Sequence, residues 1–575
     1  SDSDIGWFDL AFFALLAAFV GWNWLSATWS WSAPSSILEG ERGLVALTGV
    51  GAALVAVSRR TVPHLLGAVA AAIALVSAYG LATRLFPGHV GTFDPVAGYR
   101  LEEPLGYWNA LGIFAAIGAL LSLGFAARGR TLASRGLGGL ALGILLPTIY
   151  FTFSRGAWLA LAIAVVVALV LDPRRLQLAL ALVVFSPLLA LEVWIGSRKD
   201  ALTTANAALG AATHQGRQYA AAVAAVAIAT AVLAVAVGRL ERRGPAPRAA
   251  RLAFTALVAA LVVAAVAAAT VRYGGPQTIA RHAWDSFNAP PANGVKNLNN
   301  RLFSLSSNGR IDLWKAAWRD HDQHPVLGSG AGTYDEYWYQ HRTNDLQVLD
   351  AHNLYAEALA ELGPVGLALV ALALLVPIAA AILVRGHRFV PFALAAYVAY
   401  VVHAGVDWDW EMAALTLSAL LVGVALVASA RPLAPRPLGA LRRTPLAGIA
   451  IALAALAFVV LVGNLKLARA HDALSAANYG RAAKEARSAG DWAPWSSDAL
   501  RTLGDAQRRL GRGSDARATL REAVAKDPQN SDAWYDLYLA ASGAEANRAL
   551  ITAVRLNPFG FDESVRRRVD SIGSG

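Results

Sequence analysis

The chain has 575 residues, of which 56% are hydrophobic and only 15% charged, with 17 tryptophans and no cysteine. Its mean hydropathy is +0.45, which a soluble domain of this length does not normally reach, so the composition points to a polytopic membrane protein. The absence of cysteine excludes disulfides and thiolate chemistry, and the formal charge of +11 must be traced to particular loops before it is assigned to a partner.

In chain order, apolar runs are predicted to form membrane helices near 7–25, 43–58, 63–83, 105–127, 137–153, 157–171, 176–196, 219–237, 252–271, 354–384, 389–406, 412–428 and 445–465. A span needs about 20 apolar residues to cross a hydrocarbon core of ~30 Å. The expected fold class is therefore all-α, with about 12 to 13 transmembrane helices. No cleavable leader stands out, and the first run is long enough to remain as a signal anchor. Alternate loops carry 18 basic residues on one side, including Arg59, Arg128, Arg174, Arg239, Arg242, Arg243, Arg385 and Arg436, against seven on the other. The basic side is expected to be cytoplasmic. The N-terminus is then also cytoplasmic, and residues 272–353 and the segment after 465 are extracytoplasmic. Membrane topology absorbs much of the positive charge and removes the case for nucleic acid. The large loop itself holds eight basic and eight acidic residues between Arg272 and Ala351, so anion binding there needs placed side chains rather than a bulk field.

After the last span the pattern turns soluble and helical. Asp527-Pro528 and Asn557-Pro558 stand thirty residues apart and close successive helix pairs, close to the ~34-residue period of tetratricopeptide repeats. The expected domains are a membrane domain over 1–465 and a tetratricopeptide-like domain over 466–575, with Trp495 and Trp534 in the first helices of neighbouring units. Arrays of this kind bind a protein or polymer on a concave face and rarely carry chemistry. An irregular helical bundle is the alternative.

The most informative segment is polar. Gly309-Arg310-Ile311-Asp312-Leu313-Trp314, His324 to Tyr334 (HPVLGSGAGTY), Ala351-His352-Asn353-Leu354-Tyr355 and Glu361-Leu362-Gly363 follow one another into a long apolar helix. This order resembles the O-antigen ligase and O-antigen polymerase family of membrane glycosyltransferases. Weaker echoes lie in Gly106-Tyr107-Trp108-Asn109-Ala110-Leu111 and Phe153-Ser154-Arg155-Gly156-Ala157-Trp158.

The resemblance implies an enzyme of the bacterial inner membrane. It would move a glycan from a polyprenyl (undecaprenyl) diphosphate to the hydroxyl of a lipid, glycan or protein acceptor, with inversion and without metal or cofactor. A departing diphosphate needs cationic donors, which arginine supplies bidentately, and the incoming hydroxyl needs a base, which neutral histidine supplies near pH 7. The resemblance assigns the diphosphate to Arg310 and Arg155 and the base to His352, while Asn109 and Asn353 are candidates to position sugar, diphosphate or acceptor. Arg310 has a solvated ion pair with Asp312 or another nearby acid as its plain reading, Arg155 a snorkelling one, His352 a structural one, and Asn109 a helix cap. His321 and His324 lack the spacing of a recognised metal site, and Gly328, Gly330 and Gly332 read as a tight turn rather than a nucleotide loop. His403, Asp407 and Asp409 either line the same cavity or belong to an interfacial belt with Trp408 and Trp410. A polysaccharide polymerase on the same carrier, a lipid-linked glycan transporter and a membrane-anchored scaffold remain as other readings. Ionisable groups gathered in an outer loop, rather than along the spans, favour the enzyme.

Overall fold

The computed structural model describes residues 5–91, 100–241, 248–288, 297–302, 306–432 and 440–573. Arg242, Arg243, Arg436 and Lys296, used above in counting charge, lie outside them. The described residues are helical apart from turns and one isolated bridge between Thr204 and Asn297. Each of the thirteen apolar runs falls on a helix. Among the described residues, eight helices are long and apolar enough to cross a membrane, from Trp7–Ser26 to Ile451–Ser475, and three shorter apolar ones accompany them at Arg155–Leu171, Val390–Ala404 and Ala413–Ser429. The protein is a multi-pass membrane protein.

The chain packs as two compact units. One comprises Ser1–Leu10, Ala53–Ile311 and Leu374–Arg436; the other comprises Ala11–Ala52, Asp312–Ala373 and Pro437–Gly575. At the centre of the first unit stands the helix Trp108–Arg128, whose spanning window is 94% buried. It is clasped by Val62–Leu85, Leu132–Thr152, Arg155–Leu171 and Val390–Ala404. Small residues permit that approach: a Cβ on Gly112 would meet Thr152 Oγ1 at 2.9 Å and Ser154 Cβ at 3.0 Å, where small side chains let backbones close without lipid between them. At the C-terminal end of this helix the buried cations are paired. Arg128 is bonded to Asp172, and Arg431 grips Asp9 through two contacts of 2.9 Å.

The second unit joins the polar segment to the repeats. Helices Tyr479–Trp492, Ser497–Arg509, Gly513–Lys526, Ser531–Ala540 and Gly543–Leu556 form the repeat array. Asn478, Ser496 and Asn530 start three of them by accepting the backbone N–H of Arg481, Ala499 and Ala533 at 3.2, 3.2 and 3.0 Å, which satisfies N–H groups the helix cannot pair internally. Leu520, Val524, Ala533, Leu537 and Ala549 form a common core. Trp534 lies on the first helix of its unit as expected, whereas Trp495 lies in the turn before Ser497. The array is tied to the helix Tyr334–His341: Gln340 donates to Gln529 at 3.1 Å, and Arg342, which ends that helix, donates to Asn557 at 2.7 Å.

Candidate functional site

In the first unit, three broken stretches of chain converge at the N-terminal end of the Trp108–Arg128 helix. Leu132–Thr152 ends because Phe153 takes a left-handed backbone (φ 48°). Ser154 then caps the next helix by accepting the N–H of Ala157 at 3.3 Å, so Arg155 is the first helical residue. Asn308 and Gly309 are successive left-handed residues (φ 53° and 85°) that turn the chain into the helix beginning at Arg310. The helix Val390–Ala404 closes the group by leading into Asp407 and Asp409.

Asp407 is the hub. Its buried carboxylate accepts Arg310 Nη2 at 2.7 Å and Asn109 Nδ2 at 2.6 Å on one oxygen, and Tyr107 OH at 2.9 Å on the other. Asn109 therefore does not cap its helix; its amide also accepts Arg100 Nη2 at 3.1 Å. Arg100 is fixed by the carbonyls of Thr152 and Phe153 at 2.8 and 3.2 Å and by the face of Trp108, 4.4 Å from its centroid, a cation–π contact that leaves the charge intact. Burial pushes the Arg100 guanidinium down to about 8, and the charges of Arg301 and Arg155 push the same way while Tyr107 and Asp407 oppose them. Arg301 is lowered first by burial and then by Arg310, and its Nε is buried without a hydrogen-bond partner among the described residues. Four arginines thus crowd one site and repel one another. Such an arrangement stabilises a bound anion, because a buried cation is costly until an opposite charge is supplied. Beside them His403 Nδ1 lies 3.2 Å from Asp409 Oδ1.

Sequence reasoning therefore located Arg310, Arg155 and Asn109 in one cluster but did not reach Arg100, Arg301 or the hub role of Asp407. Arg310 pairs with Asp407, while Asp312 is bridged by Lys315 at 3.6 Å. The belt reading of Asp407 gives way to three hydrogen bonds inside the cluster. No periodicity could connect residues 100, 301 and 407; the only signal was the break in apolar pattern around each.

His352 and Asn353 stand in the second unit. Asn353 caps the helix Leu354–Leu383 by accepting the N–H groups of Tyr355 and Ala356 at 3.0 and 3.1 Å. His352 has a left-handed backbone (φ 54°), a conformation that costs a non-glycine residue energy and concentrates at functional positions. Its Nδ1 lies 3.1 Å from the Asp350 carbonyl; with the proton on Nδ1, Nε2 carries the basic lone pair.

The remaining motif residues organise the second unit through contacts among themselves. Glu361 accepts the N–H groups of Gly332 and Tyr334, both at 2.9 Å, so it holds the start of the Tyr334–His341 helix. The turn at Gly328 (φ 74°) presses on the Glu361 backbone, where a Cβ would approach within 2.2 Å. Only glycine fits there, and the turn expected from the sequence is present. His324 contacts Asp320 at 3.0 Å and packs edge-on against Trp31, centroids 5.0 Å apart. Ser329 donates to the other Asp320 oxygen at 2.8 Å. Among the described residues, neither His321 nor His324 belongs to a group with metal-ligand spacing.

The helices define a multi-pass membrane protein whose central helix has an arginine cluster at its N-terminal end. Residues 220–371 match the O-antigen ligase family, and residues 473–540 match the tetratricopeptide repeat. No curated protein matches the chain. The first match contains Arg301, Arg310 and His352, while Arg100, Asn109, Arg155 and Asp407 lie outside it. Both matches agree with the resemblance carried by the motifs and support a membrane glycan-transfer function of the ligase type.

Proposed function

We propose that this protein is an inverting glycosyltransferase that moves a glycan from a polyprenyl diphosphate to an acceptor hydroxyl at the outer face of the bacterial inner membrane. The membrane domain over 1–465 carries the reaction, and 466–575 forms an extracytoplasmic accessory domain. The observation that carries this reading is the group of four mutually repelling arginines around Asp407. A diphosphate supplies the negative charge that the group lacks.

In the proposed reaction Arg310 and Arg155, with Arg100 and Arg301, bind the diphosphate and stabilise the charge that grows on it as the anomeric C–O bond breaks. Asn109 positions Arg100 and Asp407. The acceptor oxygen forms the new bond to the anomeric carbon, its proton passes to His352 Nε2, and the electron pair of the broken bond leaves with the polyprenyl diphosphate. Asn353 fixes the backbone that presents His352. His352→Ala is expected to abolish transfer while the purified protein still binds the lipid-linked donor. Undiminished transfer by that variant would remove His352 as the base.

A further inference from the structure

The second unit contains a cavity of about 530 Å³ that the proposed transfer reaction does not use. It lies between the helix Ala33–Ala56, the helix Tyr334–His341 and the repeat helices, and its size falls within the range of about 300–1,000 Å³ usual for binding pockets. Six carboxylates line it against a single cation, Arg501. That cation is already held by Asp498, Asp532 and Asp536 at 3.3, 3.5 and 3.2 Å, so it does not neutralise the others.

Three of the carboxylates are more than nine-tenths buried: Glu41, Glu336 and Asp527 are 6%, 9% and 2% exposed. Each comes from a different stretch of chain. Each also has one oxygen, Glu41 Oε1, Glu336 Oε2 and Asp527 Oδ1, buried without a hydrogen-bond partner among the described residues. The other oxygen of Asp527 accepts Ser497 Oγ at 3.2 Å, so this residue is half satisfied. Burial raises Glu336 well above the usual carboxylate range, with Asp527 and Asp335 adding repulsion, and burial also raises Asp527. A buried acceptor left unpaired costs about 1–3 kcal/mol, and more when it is charged. Three around one cavity therefore favour a ligand that brings N–H donors and positive charge. The three are not among the described groups whose ligand atoms all lie within 4.8 Å of one another. That spacing suits donors spread along a chain better than one metal ion. Asn464, Gln529 and Asn557 also line the cavity, and a side-chain amide offers both a donor and an acceptor, as a peptide backbone requires.

We propose that this cavity is a recognition site for a basic polypeptide segment, with lysine or arginine side chains reaching Glu41, Glu336 and Asp527. The proposal is independent of the sugar and of the transfer chemistry.

The test is calorimetric titration of the full-length protein, in nanodiscs of zwitterionic lipid, with a lysine-rich peptide, the same peptide fully acetylated at its lysines, a neutral oligosaccharide and calcium chloride. Saturable binding of the lysine peptide, lost on acetylation and weakened at least ten-fold by each of Glu41→Gln, Glu336→Gln and Asp527→Asn, supports the site. The acetylation comparison needs no variant, so a substitution that fails to fold does not blunt the test. Equal binding of the acetylated peptide, unchanged affinity in all three variants, binding of the oligosaccharide or of calcium alone, or no binding at all would each overturn the proposal.

Discussion

The two ends of the helix Trp108–Arg128 handle arginine in opposite ways. At its C-terminal end the cations are matched: Arg128 has Asp172, and Arg431 has Asp9 on two oxygens. At its N-terminal end Arg100, Arg155, Arg301 and Arg310 stand together, burial and neighbouring arginines lower Arg100 and Arg301, and one hub carboxylate, Asp407, accepts a hydrogen bond from Arg310. Under the proposed function, the difference separates arginines that hold the fold from arginines that bind the diphosphate. In the first kind the charge is balanced within the protein. In the second the fold tolerates imbalance because three backbone or side-chain acceptors and an aromatic face keep Arg100 in place.

The comparison breaks most readily at Arg128. Arg128→Met leaves Asp172 buried without its partner, and a loss of about 3–5 kcal/mol is expected in denaturant unfolding, with transfer per folded molecule unchanged. Arg310→Met is expected to act the other way: a ~10²–10³-fold fall in transfer, equivalent to about 2.7–4 kcal/mol, with less thermal destabilisation than Arg128→Met. If both variants lost stability alone, the N-terminal arginines would be structural too. Tyr107→Phe removes one donor from Asp407 and is expected to cost about 1.5–3 kcal/mol of whatever Asp407 positions, measured as weaker pyrophosphate binding.

The smallest effect is one of pH. Arg100, pushed down to about 8 by burial and by Arg301, carries its charge below that pH and loses it above. Its depressed value costs the unliganded fold stability below pH 8, and the cost is relieved as pH rises through 8 toward the ordinary value of 12.5, because the unfolded chain then binds more protons. Pyrophosphate protection runs opposite, being largest below pH 8. Thermal unfolding of the wild type and Arg100→Gln with and without pyrophosphate, at pH 7 and pH 9.5, is expected to show both slopes in the wild type and neither in the variant.

The helices were legible because crossing a bilayer imposes length and hydropathy on each segment separately. The helix Ala33–Ala56 begins ten residues earlier than its apolar run, since Ser36 is held by the carbonyl of Ala331 at 2.8 Å, a contact 295 residues away in sequence. The candidate site was legible in part. Arg310, Arg155 and His352 sit in local motifs, and each marks a visible break in pattern. Arg100 and Arg301 have significance only through one another, and a chain read in order cannot show mutual repulsion across two hundred residues. Glu361, quoted only as part of the motif order, holds the start of the Tyr334–His341 helix through contacts that its place in the sequence does not show.

The central helix also bears on how the protein meets different bilayers. Only 28% of the spanning window of Arg175–Ser197 is buried, against 94% for Trp108–Arg128. Hydrophobic mismatch acts where helices touch lipid, by tilting them or by thinning the bilayer around them. The outer helices take that stress directly, and the central one feels it only through its neighbours. The separation between the arginines at its two ends is then set by the rise of its own 21 residues, about 30 Å, rather than by the thickness of the membrane that surrounds it.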